Sequence, residues 1–224
     1  MKQPRVFQVI AAFWVQARGS TINSMIDLGM TTEDDMVLAF LQAEIDSMRF
    51  GPRYRAILAN LGLDRQSIID QPDRNSPGAR SNRRELLTQF RGYGNKSFLF
   101  TGFPSDVAWH RFALDQTDIQ KLKYLNEPEW VQLSGGTRFV TDGAENIGLN
   151  GPAEQLAVNI RAIVEDLSKG KEYPPLIGVY DQDRENILLL EGHSRATAYA
   201  ATRLPNRFEC VVGSSATITT WAYY

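Results

Sequence analysis

The run Ile187 to Ala201, ILLLEGHSRATAYAA, fixes a strand and a helix within fifteen residues and leaves one glycine to join them. Four consecutive apolar residues, Ile187 to Leu190, have the length of a short buried strand, and Glu191 and Gly192 end it. From His193 to Arg203 there is no Gly or Pro and alanine recurs, which is a helix composition. Gly192 therefore stands where a strand hands over to a helix N-terminus. The first N–H groups of a helix have no partner inside it and carry partial positive charge, so they attract anions. Arg195, one turn in, has the fork geometry to add two hydrogen bonds to the same anion. A plain turn with a helix cap needs none of this. Glu191, Gly192, His193, Ser194 and Arg195 together form a denser chemical set.

Gly-x-x-Arg at a helix mouth, preceded by an acid and an apolar strand, resembles the phosphate-binding motif of the ParB/sulfiredoxin-like superfamily. Pro174 to Val179, PPLIGV, is similar to the strand that precedes that motif. The resemblance covers the last third to half of the chain. It implies that Gly192 and Arg195 hold the phosphates of ATP or CTP, as that loop does in partition proteins, sulfinic acid reductases and a free-serine kinase. His193 stands where sulfiredoxins carry their catalytic cysteine, and the only cysteine, Cys210, lies well past the motif, so reductase chemistry does not follow. Glu191 before Gly-His-x-Arg is closer to the kinase-like version.

Composition narrows the classes. The 224 residues are 43% hydrophobic and 22% charged, ordinary for a folded globular chain long enough for one large or two small domains. A formal charge of −2 lacks the basic surplus of a dedicated nucleic-acid binder. One cysteine excludes an internal disulfide, and two histidines with it make a Cys/His zinc site improbable. Magnesium held by a carboxylate and shared with a nucleotide fits better. The apolar run Val6 to Val15 is too short to span a bilayer, and no clear small-residue cleavage pattern follows it, so a cytoplasmic protein without a membrane span is expected.

Along the chain, helices are expected at 4 to 17 and from Thr32 to about Met48, where Glu33, Asp34 and Asp35 form an acidic first turn. A shorter one is expected at Tyr54 to Leu61. Residues 64 to 84 carry five arginines and two prolines, and read as a long loop entering a helix near Ser81. Any of Arg80, Arg83, Arg84 and Arg91 is a candidate to reach across to phosphates held at Gly192, with Arg84 and Arg91 carried forward. Phe103 to Trp109 reads as a seam, and Trp109 and His110 are candidates to line a substrate pocket. Thr117 to Leu125 has helical spacing, Trp130 to Leu133 reads as a strand, and Ser134 to Arg138 reads as a hairpin turn with a second reading as an anion loop. Ala153 to Leu167 is amphipathic at helical spacing. Leu176 to Tyr180 and Ile187 to Leu190 form a hairpin, and Phe208 to Val212 is a further strand.

These signals predict an α+β protein: a mainly helical N-terminal region, 1–104, and a small ParB/sulfiredoxin-like mixed-sheet domain, 105–224. The expected function is a nucleotide-binding enzyme, an ATP-dependent phosphotransferase or ATP hydrolase acting on a small molecule. Its site comprises Glu191 and His193 as catalytic groups; Gly192, His193, Ser194, Arg195, Arg84 and Arg91 around ATP; and Glu191 toward Mg2+. Asp142 and Glu145 are the next acids to weigh. The alternative is a ParB-like, nucleotide-switched module that contacts DNA or a protein, for which the arginines between 74 and 91 speak.

Overall fold

The computed structural model describes residues 25–147 and 154–224; the helix expected at 4 to 17 lies outside them. Both helices and a six-stranded mixed sheet are present, as the α+β reading requires. The strands are β1 (Ile26–Thr31), β2 (Ala108–Asp115), β3 (Leu122–Lys123), β4 (Leu176–Tyr180), β5 (Ile187–Glu191) and β6 (Arg207–Ser214), in the order β1-β2-β6-β4-β5-β3. β4 runs parallel to β6 and β3 parallel to β5, while the other pairs are antiparallel. The boundary drawn at 104/105 falls just before β2. The sheet crosses it, because β1 pairs with β2, and one hydrophobic cluster includes residues from both sides.

Among the described residues, three α-helices precede β2. In α1 (Glu33–Glu44), Thr32 caps the first turn: its Oγ1 accepts from the Asp35 amide at 3.1 Å, while the Asp35 carboxylate accepts from the Thr32 amide at 3.3 Å. α2 (Gly51–Asn60) starts with Pro52 in its first turn. α3 (Pro77–Arg91) begins earlier than the Ser81 start expected from sequence. Ser76 is the cap, accepting from the Ala79 amide at 3.2 Å, and Pro77 takes the first position, where its missing N–H costs nothing. Gly92 ends α3 at φ +81°, and a side chain there would collide with the Ser97 backbone, so only glycine fits.

Two expectations differ after β2. Trp130 to Leu133 is helix α4 (Pro128–Leu133), because Pro128 and Glu129 form a favourable helical first turn and a short apolar run alone does not separate strand from helix. Thr117 to Leu125 becomes a 3-10 turn, Asp118–Lys121, followed by β3, yet Ile119, Leu122 and Leu125 are all buried as their spacing requires. α5 (Val140–Glu145), α6 (Glu154–Ser168) and α7 (His193–Thr202) complete the fold, with α7 packed against α5 and α6.

Candidate functional site

The β5–α7 junction forms as the sequence implies. β5 is buried from Ile187 to Leu190, and Gly192 caps α7 in the left-handed region at φ +98°. A Cβ on Gly192 would lie 2.5 Å from the Leu176 side chain, so the backbone can take this path only as glycine. No side chain caps α7, and its first ladder bond runs from the Ala196 amide to the Gly192 carbonyl at 2.8 Å. The amides of His193, Ser194 and Arg195 thus precede the helical ladder and carry the positive end of its dipole.

Arg195 is buried, and its guanidinium is engaged. It donates to the Glu191 carboxylate, to the Pro174 carbonyl and, at 3.2 Å, to the Pro175 carbonyl. The side chain expected to fork directly onto an anion therefore ties the acid of the motif to the chain that leads into β4. Glu191 is in turn neutralised by Arg195 rather than held open for a cation.

His193 is stacked on the indole of Trp130, with ring centroids 5.0 Å apart, and Trp130 is stacked on Tyr124. Its ring donates to the Leu189 carbonyl, while Nε2 is buried without a partner. That assignment puts the proton on Nδ1 and leaves Nε2 as an open acceptor. Burial, with the nearby positive charges of Arg91 and Arg195, pushes the imidazole down to about 3. The ring stays neutral at physiological pH, a weak base suited to accepting a hydrogen bond.

Of the distant arginines, Arg91 is brought in and Arg84 is not. Arg91, at the C-terminus of α3, pairs with the fully buried Glu44 of α1, and Tyr54 of α2 donates to the same carboxylate at 2.8 Å. The charge of Arg91 reaches both Glu191 and His193. Burial pushes the Glu44 carboxyl up, against the pull of the Arg91 and Tyr54 hydrogen bonds, and the like charge of Glu191 adds to the push. Arg84 instead pairs with Glu33 at 2.6 Å and lies over the Tyr93 ring. Arg83 is buried against Asp34.

Glu44 and Tyr54 are absent from the sequence-based candidates although a signal existed. Glu44 is a carboxylate on the apolar stripe of α1, three residues from Leu41 and one before Ile45, where a solvated acid does not belong.

The second anion candidate, Ser134 to Arg138, is a turn with Gly135 and Gly136 at positive φ. Arg138 donates to the carbonyl of Tyr124 at 3.0 Å and to the main-chain oxygen of Tyr224 at 3.1 Å, so its guanidinium is engaged within the chain. Asp142 and Glu145 lie in α5, where Asp142 accepts from Thr137. Among the described residues, no group of three or more His, Cys, Asp or Glu side chains is placed to hold a metal ion. No helix among them is long and apolar enough to cross a membrane. No protein-family model, curated protein or solved structure matches the chain.

Proposed function

We propose that this chain is a nucleotide-binding enzyme whose phosphate site is the N-terminus of α7, and that it transfers or hydrolyses the terminal phosphoryl group of ATP with a small molecule as acceptor. The observation that carries this reading is the uncapped mouth of α7 behind a left-handed Gly192, with the Arg195 guanidinium one turn in and the charge of Arg91 acting on His193. The amides of His193, Ser194 and Arg195 supply the donors a phosphate needs, and the neutral Nε2 of His193 takes a hydroxyl proton of nucleotide or acceptor in a hydrogen bond.

In this reading an arriving phosphate competes with Glu191 for Arg195. The released carboxylate then faces the acceptor hydroxyl as a base, or a magnesium ion shared with the phosphates. Magnesium supplies charge neutralisation, which together with positioning accounts for most of the acceleration in phosphoryl transfer. With fewer than three protein ligands near Glu191, the ion depends on the nucleotide for the rest of its coordination.

Four of the five arginines that speak for a DNA-contacting module are engaged inside the chain: Arg74, Arg83, Arg84 and Arg91 each pair with an acid of α1. Calorimetric titration with ATP, ADP and CTP, with and without magnesium, separates the readings. Micromolar binding that Arg195→Ala abolishes and Arg84→Ala leaves intact is the expected result. No heat at protein concentrations able to detect millimolar affinity overturns the proposal, as does salt-dependent duplex DNA binding that Arg84→Ala weakens.

A further inference from the structure

The sheet carries a cavity away from Glu191. Its volume is about 550 Å³, within the range of small-molecule sites, and it opens on the face of the sheet that β1, β2, β6, β4 and β5 build around His110 and Phe112. Ile187 lines it at the start of β5, whereas Glu191 ends the same strand about 13 Å further on. The phosphate site and this groove therefore occupy opposite ends of β5.

The lining is ordered by strand. Asp27 on the edge strand β1 and His110 on β2 form one wall, with Asp27 Oδ1 3.9 Å from His110 Nδ1. That Nδ1 atom is buried and has no hydrogen-bond partner among the described residues, which is costly unless something completes it. Phe112, Val212 and Tyr180 make an apolar floor, in which the His110 and Phe112 rings are stacked at 6.1 Å and the Tyr180 ring meets Phe112 edge-on. Arg184 and Glu185, exposed in the turn between β4 and β5, line the cavity on that side, together with Lys121, which pairs with Asp118. Asp27 on β1 and Arg184 in the β4–β5 turn thus line the same cavity.

We propose that the groove binds a small zwitterion with an apolar body, of the size of a tripeptide: its cationic end at Asp27 and His110, its apolar body on Phe112 and Tyr180, and its anionic end at Arg184. Charge complementarity and length carry the assignment. β1 and β4 are three strand spacings apart, about 14 Å. An extended tripeptide spans about 10 Å, of the order of that separation.

Titrating the full chain with Ala-Phe-Ala bearing free termini tests this, beside the N-acetylated and C-amidated forms and the variants Asp27→Asn and Arg184→Gln. Both variants change exposed side chains and leave the core untouched. The free peptide is expected to bind with submillimolar affinity. Acetylation or Asp27→Asn should each weaken binding roughly tenfold, and their combination no more than either alone, because they remove the same contact. Amidation and Arg184→Gln should behave likewise, and Arg195→Ala should change nothing. Absence of binding at millimolar peptide, equal binding of the blocked forms, or loss of binding in Arg195→Ala overturns the proposal without touching the nucleotide reading.

Discussion

Helices α1 and α3 are joined by acid–arginine pairs at both ends, and the two ends differ in kind. At the open end, Glu33 pairs with Arg84 and Asp35 with Arg74, which precedes α3, and both arginines are more than half exposed, although Arg83 on Asp34 between them is buried. At the closed end, Glu44 pairs with Arg91 while 1% of the acid's side chain is exposed, and Tyr54 completes the carboxylate. The chemistry of pairing is the same, so burial decides the consequence. An exposed pair exchanges one solvated arrangement for another and adds little. A buried pair has left water behind, and each member depends on the other. The Glu44–Arg91 pair also acts by charge on Glu191 and His193 at the candidate site.

Removing an acid from each end breaks this comparison most sharply. Glu44→Ala leaves Arg91 and Tyr54 without their shared acceptor and is expected to cost about 3–5 kcal/mol in urea unfolding, the range for one lost partner of a buried pair. A loss below about 1 kcal/mol would place Glu44 with the surface acids.

A change at the strand–helix junction ranks second. Gly192→Ala forces a side chain into the left-handed region and onto Leu176, and is expected to lower stability by about 2 kcal/mol in the same unfolding measurement. It should also weaken nucleotide binding, because it moves the amides that follow.

Acid separates the two ends in another way. His193 has a folded value of about 3 against an ordinary 6.5, so between these values the unfolded chain takes up a proton that the folded chain refuses. Its contribution is complete above pH 6.5 and is lost as pH falls, by about 2 kcal/mol at pH 5. Comparing urea midpoints of the protein and of His193→Asn from pH 7 to pH 5 isolates this slope, which the variant should lack. Arg84→Ala is the smallest change, expected to cost less than ~1 kcal/mol and to leave nucleotide binding unaltered.

The strand–glycine–helix junction was legible because three local signals agree there: an apolar run, a glycine and an alanine-rich segment. The hairpin of β4 and β5 and the acidic start of α1 were legible for the same reason. Trp130 to Leu133 misled because a four-residue apolar run has no period of its own, and its flanking Pro128 carried the deciding information. Arg91 and Arg84 look alike in sequence, seven residues apart on one helix. Their different fates depend on which face of α3 meets α1 and α2, a tertiary fact. The engagement of Arg195 by Glu191 and the Pro174 carbonyl was also beyond sequence, since motif spacing specifies where a guanidinium starts and not which acceptor it finds first.

The most direct test of the nucleotide reading is to follow the backbone amide resonances of His193, Ser194 and Arg195 while ATP and magnesium are added. The account predicts that these three amides shift together and more than any others, that Arg195→Ala removes the response, and that the groove around His110 stays silent. Unchanged resonances at α7, or shifts centred on Asp27, His110 and Tyr180, would contradict it.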